Sequence, residues 1–385
     1  RDYYASRGLG DVYKRQRYKI VRKDRMKKNK KSIWIKVIAF CMSLMMAVCG
    51  TVTKDKVQVN AATKLKVHFI DVGCGDAILI QYGSGVKAEY GMIDAGPVYY
   101  TKTNKKDVNT SNRARNYLKK QKITHLKFVL LTHPHQDHIG GMIKILDDPK
   151  IKIDTIYGNN FNLKVLQSSK NKKKQSASTA KLIKYRDDEG IYAQVIAKIQ
   201  KKVKRKETVY VVPKAGDKVY LGKACMRFYG VMNAKYKYGR RGDLNYRQVN
   251  KYSIVTRLTY KSNSFLFTGD AQKETIEQLV KKGYNLQAQV LKVPHHGMQD
   301  ILKNTKKARS DHRYLFQRVK AKIAVISNGY KNSYKAPHKK TLNELKTANV
   351  YDTGSRGTIV ITSDGKRLSV KVQKGKGPSY KRTKK

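Results

Sequence analysis

Apolar positions along this chain come in short runs, and many of the runs stop abruptly on an aspartate, a histidine or a glycine. Lys66 to Ile70 and Ala77 to Gln81 read as strands around the turn Asp71-Val72-Gly73-Cys74-Gly75-Asp76, and Tyr90 to Ile93 as a strand ending on Asp94-Ala95-Gly96. Asn112 to Gln121 has the spacing of an amphipathic helix, whereas Phe128 to Leu131 is apolar throughout, as a strand covered on both faces should be. Further strands are expected at Lys218–Leu221, Met226–Val231, Ser253–Tyr260, Phe265–Phe267, Val290–Val293, Ile323–Ser327, Thr358–Thr362 and Leu368–Val372, with helices at Gln272–Lys282 and Lys339–Ala348. This mixture, without a surviving internal repeat, predicts an α/β fold.

Two stretches depart from that pattern. Leu163 to Lys206 is Lys-rich, and its only strong apolar spacing, Ile191 to Val203, predicts an exposed basic helix. At the other extreme, Ile33 to Val52 is apolar, preceded by the basic run Lys27-Lys28-Asn29-Lys30-Lys31 and followed by Val59-Asn60-Ala61-Ala62. A basic head, an apolar middle and small residues at a cleavage point make residues 26–62 a secretory signal, or a membrane anchor if it is not removed. The expected organisation is then a disordered or non-native leader (1–25), this segment (26–62), a hydrolase-sized domain (63–373) and a disordered basic tail (374–385). The expected location is secreted or extracellular, with membrane contact only through the N-terminal segment and a monomeric folded part.

Charge narrows the partners. Lys and Arg number 84 against 27 acids in 385 residues, a formal net charge of +57. A field of that sign attracts nucleic acid or another anionic polymer and is screened by salt. The four cysteines, Cys41, Cys49, Cys74 and Cys225, have no spacing that suggests a disulfide framework or a Cys-rich zinc site, so Cys74 and Cys225 are expected as isolated thiols.

Candidate chemistry is concentrated in Thr132-His133-Pro134-His135-Gln136-Asp137-His138, directly after the apolar strand. Imidazole and carboxylate suit zinc and other borderline divalent ions, and the spacing lets His133 and His135 point one way while Asp137 and His138 reach another. One loop can thus serve two adjacent metals, which together activate a water and clamp the attacking and leaving oxygens. A helix cap needs at most Asp137, not three histidines. Other polar residues at expected strand ends are Asp94, Asp270 and the pair His295-His296.

Taken together, Thr132 to His138, Phe267-Thr268-Gly269-Asp270 and Pro294-His295-His296-Gly297 resemble the metallo-β-lactamase-fold hydrolases. Phe69 to Ala77, Leu266 to Asp270, Lys292 to Gly297, Asn332 to His338 and Gly357 to Ile361 look most like the branch formed by the C-terminal domain of ComEC-type DNA-uptake proteins, over about residues 65 to 372. The resemblance implies a four-layer αββα sandwich with the site along one edge between two sheets. It implies His133 and His135 at a first metal, Asp137 and His138 at a second, Asp270 bridging both, His295 or His296 completing the second site, and Asp94 orienting the cluster from behind. Two divalent ions, zinc or manganese, are the expected cofactors. The wider family's third first-site histidine has no counterpart here, and an Asn such as Asn250, or a water, is the candidate for its place. His338 is a candidate to donate to a substrate phosphate or protonate a leaving group, Asp71 and Asp76 are read as turn scaffold, and Tyr330, Tyr334 and Lys335 as a possible base-stacking group.

The expected activity is metal-dependent hydrolysis of phosphodiester bonds in DNA, with Asp137 and His338 as catalytic candidates. The alternatives are a phosphoesterase acting on phosphorylcholine or teichoic acid in wall polymers, and a surface module that binds polyanions without chemistry.

Overall fold

The computed structural model describes residues 63–98, 100–103, 106–109, 112–159, 188–230, 246–299 and 312–381. The leader 1–25, the signal or anchor segment 26–62 and residues 382–385 lie outside them. Strands occur in chain order at β1 (Leu65–Phe69), β2 (Ile78–Tyr82), β3 (Glu89–Ile93), β4 (Tyr100–Thr103), β5 (Lys106–Asn109), β6 (His125–Leu130), β7 (Lys152–Tyr157), β8 (Val209–Val211) and β9 (Lys218–Leu221). They continue with β10 (Ala224–Gly230), β11 (Val255–Tyr260), β12 (Asn263–Phe267), β13 (Val290–Lys292), β14 (Ile323–Ile326), β15 (Asn349–Asp352), β16 (Ile359–Ser363) and β17 (Leu368–Val372).

Two large sheets result, one in the order β17-β16-β1-β2-β3-β6-β7-β8 and the other β15-β14-β13-β12-β11-β10-β9, with β4 and β5 as a separate hairpin. Alternation of side chains along each strand decides how they stack. In the first sheet Leu65, Val67, Phe69, Ile78, Ile80, Phe128 and Leu130 pack into one core with Phe228, Leu258, Phe265, Phe267, Val290 and Val325 of the second. The intervening residues face outwards. Leu79, Met92, Leu126 and Val129 join a core with the helices Arg113–Lys120, Gln136–Ile139, Met142–Leu146 and Asp188–Lys204. Leu266, Leu291, Ala324 and Ile326 do the same with Lys273–Lys281 and His312–Val319. Three cores between helix, sheet, sheet and helix make the expected four-layer αββα sandwich.

Each sheet is mixed. β3, β6, β7 and β8 run parallel, as do β12, β13, β14 and β15, and the remaining pairs are antiparallel. Parallel strands place their carboxyl ends on one edge, where open α/β sheets bind ligands.

Two expectations fail on packing. Asp188–Lys204 is not an exposed basic helix, because Ile191, Tyr192, Val195, Ile196 and Ile199 are buried in the outer core of the first sheet, leaving the lysines to line the other side. The basic tail is held as far as residue 381. Arg356 donates from Nε to Gly377 O (3.1 Å) and from Nη2 to Pro378 O (3.0 Å), and Tyr380 pairs with Val350. Cys74 and Cys225 are free thiols, as expected. Among the described residues no helix is long and apolar enough to cross a membrane.

Candidate metal centre

The site lies where the parallel strands end. Asp94 follows β3, Thr132 to His138 follow β6, Asp270 follows β12, His295 and His296 follow β13, and Ser327 follows β14. Donors from three strand ends on two sheets, after β6, β12 and β13, cannot drift independently, since each strand is pinned by its ladder on both sides.

Around the carboxylate of Asp270, two clusters of donors close within 4.8 Å of one another: His133, His135 and Asp270 on one side, and Asp137, His138, Asp270 and His296 on the other. Asp270 Oδ2 is 3.8 Å from His133 Nε2 and 3.4 Å from His296 Nε2, while its Oδ1 is 3.2 Å from His138 Nε2. His133 Nε2 lies 3.2 Å from His135 Nδ1, and His296 Nε2 lies 3.1 Å from Asp137 Oδ2. His133, His138 and Asp270 are almost fully buried; His135 and the Asp137 side chain, 27% exposed, form the open side. The structure therefore brings together every one of these sequence candidates, with Asp270 shared.

The rings are aimed by the residues behind them. His138 Nδ1 donates to Asp94 Oδ2 (2.8 Å) and His296 Nδ1 to the carbonyl of Ser327 (2.8 Å), so each presents an unprotonated Nε2 to the cluster when its ring is neutral. Asp94 also accepts from Thr132 N (2.8 Å) and Thr132 Oγ1 (2.6 Å). That hydroxyl oxygen is then left to accept from His133 Nδ1 (3.1 Å). Asp94 thus sets the tautomers of both clusters, one directly and one through Thr132, and holds a left-handed backbone (φ 54°) to do so.

Lys292 opens one of the stretches that carry the resemblance but is not among the candidate donors, yet it is the most consequential residue behind the site. Its ammonium, 0% exposed, lies 2.7 Å from Asp76 Oδ2 and donates to Val293 O (2.9 Å). Asp76 in turn stands 3.7 Å from His296 Nδ1 and 3.9 Å from His138 Nδ1. Read as turn scaffold, Asp76 instead belongs to the layer behind the second cluster and joins the two sheets across it. Besides its place in the matched stretch, the signal is a lysine in a three-residue strand that is otherwise apolar. Asp71 does serve its turn, accepting from Gly73 N (3.2 Å) and pairing with Arg113 (3.0 Å). Gly75 lets that turn touch the site loop: at φ 143° a Cβ there would come 2.2 Å from Asp137 O.

His295 and His296 separate in role. His296 joins the second cluster, while His295 Nε2 sits 3.3 Å from Asn250 Nδ2 and 3.9 Å from Asp270 Oδ2. Asn250, 4% exposed, touches the site through His295. His338 is elsewhere. Its Nδ1 accepts from Gln299 N (3.0 Å) and its Nε2 donates to Tyr334 O (2.8 Å), so both ring nitrogens clip loops together, and the structure does not bring this catalytic candidate into the cluster.

Electrostatics fit a cation at this point. Burial works against charge on His138 and His296, but Asp270, Asp137 and Asp94 around the first and Asp270, Asp137 and Asp76 around the second outweigh it and hold both rings well above the ordinary histidine range. Burial would raise Asp270 and Asp137, yet the neighbouring histidines hold both well below the usual carboxylate range. His133 is pushed well down by burial and by His138, so it is a neutral donor. Burial pushes Asp94 up, with His138 pulling against it. His138 Nε2 and Asp270 Oδ1 are buried without a well-formed hydrogen bond, although they face each other. Convergent imidazole and carboxylate donors with orphaned atoms are what a divalent ion would satisfy.

Residues 72–190 match the Metallo-beta-lactamase superfamily. ComE operon protein 3 of Bacillus subtilis is 33% identical over 112 residues, 29% of this chain and 13% of that protein. Recombination protein 2 of Haemophilus influenzae is 31% identical over 140 residues, 35% of this chain and 16% of that protein. The chain thus matches a small part of each relative's length. The metallo-β-lactamase fold protein YhfI of Bacillus subtilis aligns over 78% of this chain and all of its own, with 13% identity and a TM-score of 0.42. The matched residues 72–190 contain Asp94 and all of His133 to His138, so the loop that builds both clusters lies in the part of the chain that matches the metallo-β-lactamase superfamily.

Proposed function

We propose that the protein is a two-metal phosphodiesterase that cleaves nucleic acid, DNA in the first instance. The observation that carries this reading is the pair of donor clusters sharing Asp270. Divalent ions held there, zinc or manganese, would supply Lewis acidity and a water of lowered pKa. The chain's own part is to hold His133 and His135 on one side and Asp137, His138 and His296 on the other, with Asp270 common to both. Asp94 fixes the tautomers of His133 and His138 and the Ser327 carbonyl that of His296, while the buried strand ends keep bulk water out except beside His135 and Asp137. The net charge of +57 favours a polyanionic substrate, and the resemblance to DNA-uptake proteins supports nucleic acid over wall polymer. The basic head and apolar run of residues 26–62 support export to the cell exterior.

The test is incubation of the purified protein with single-stranded and duplex DNA in zinc or manganese, beside a His135→Ala control. Cleavage well above the control is expected. Strands left intact by the wild-type protein, with release of phosphate or choline from wall preparations, would replace nucleic acid by wall polymer.

A further inference from the structure

Between β14 and the helix Lys339–Glu344, residues 327–338 form a loop that borders the metal centre. Ser327 O accepts from His296 Nδ1, His338 N donates to Gly297 O (3.0 Å), and a Cβ on Gly329 would lie 3.0 Å from Cys74 Sγ. The loop is tied down from inside. Asn332 Nδ2 donates to Gly329 O (2.9 Å) and Ala336 O (2.7 Å), and its Oδ1 accepts from Ala336 N (3.0 Å). Asn328 Nδ2 donates to Ala336 O (2.8 Å), and His338 Nε2 to Tyr334 O.

What this framework presents outward is two tyrosines. Tyr330 and Tyr334 are each 61% exposed. Lys331 Nζ stands 5.4 Å from the Tyr330 ring centroid. Lys331, Lys335, Lys339 and Lys340 fall between residues 330 and 343 with no acid among them. Two largely exposed tyrosines on one bonded loop, among lysines, beside the metal centre, have the form of a stacking surface whose ordering cost is met on folding.

We infer that residues 327–338 are a platform on which unpaired nucleobases stack, which makes single-stranded nucleic acid the preferred substrate over duplex. The inference rests on the nucleic-acid reading above and narrows it. Every base has a π face, so the platform is indifferent to sequence; a duplex keeps its bases stacked on each other and offers none except at frayed ends. The lysines take the backbone phosphates.

Binding is the direct test, measured by fluorescence anisotropy on the full chain with chelator present so that no strand is cut. The probes are a short labelled single strand, an abasic strand of equal length and charge, and a blunt duplex. The base-bearing strand should bind roughly tenfold or more tightly than the abasic one. Tyr330→Ala with Tyr334→Ala should abolish that preference, and Tyr330→Phe with Tyr334→Phe should keep it, since stacking needs the ring and not the hydroxyl. Equal binding of base-bearing and abasic strands by the wild-type protein, or a preference that survives the double alanine change, overturns the platform. Cleavage assays separate this from the parent reading: strands cut without any base preference leave the phosphodiesterase and remove the platform, whereas base preference without cleavage does the reverse.

Discussion

The two sides of the metal centre share Asp270 between them and Asp94 behind them, but their support otherwise differs. On the second side His138 leans on Asp94, His296 on the Ser327 carbonyl, and the buried Asp76–Lys292 pair stands behind both rings. On the first side His133 is aimed through Thr132, His135 is half-buried, and His295 stands near both Asp270 and Asn250. One side has its donors fixed from behind by charges; the other has fewer donors and a lighter support. The lesson is that ligand count alone understates the difference between them, because outer contacts change metal affinity by about 10–100-fold.

Removing what the sides share should have the largest effect. Asp270→Ala is expected to leave at most one bound ion and to lower phosphodiester hydrolysis by about 10³-fold or more, read by elemental analysis and initial rates. Two retained equivalents would mean that the bridge is elsewhere.

Next comes the support peculiar to the second side. Lys292→Met leaves Asp76 buried without its cation and should destabilise the metal-free protein by about 3–5 kcal/mol in urea unfolding. Adding Asp76→Leu should recover most of that loss, since a buried pair replaced by apolar groups is often neutral. No recovery would show that Asp76 holds the rings by more than compensating a charge.

A smaller contrast is expected between ligands. His135→Ala should keep one tightly bound ion, whereas His138→Ala should lose the tighter ion and leave the weaker, with dissociation constants about 10–100-fold apart in a metal titration. Equal affinities would erase the asymmetry.

The gentlest probe is pH. His138 and His296 have raised folded-state values, so the stability they contribute is fully present below the unfolded histidine value of 6.5 and is lost as pH rises through the raised ones. His133 has a depressed value, so its contribution is present above 6.5 and is lost as pH falls. Metal entering the second side must therefore displace up to about two protons from His138 and His296, whereas His133 on the first side has none to displace. Calorimetry in buffers of different ionisation enthalpy reads this directly; equal proton release in both steps would contradict the assignment.

Much of this was legible in residue order. Short apolar runs ending on Asp94, His133 to His138, Asp270 and His295-His296 marked the strand ends, because a strand must be apolar where it is buried and can turn polar only where the sheet stops. The Lys-rich helix misled because lysines on its outer face masked the apolar stripe of Ile191, Val195, Ile196 and Ile199. β7 and β8 went unseen for a related reason: β7, Lys152–Tyr157, alternates polar and apolar residues at the flank of the sheet, and β8 has only three residues. His338 misled in the opposite way, since a histidine beside a proline in a loop looks available until its two nitrogens are found on backbone partners.

Residue types and spacing were enough to indicate the α/β class and the candidate donors, because metal chemistry needs particular atoms and those atoms occur in few residues; the bridging place of Asp270 came from the family resemblance. Which histidine of the pair faces the ion, what stands behind it, and that Lys292 of one sheet closes on Asp76 of the other depended on two sheets meeting face to face. Pairing of that kind joins residues more than two hundred positions apart, and burial, not local sequence, sets its strength.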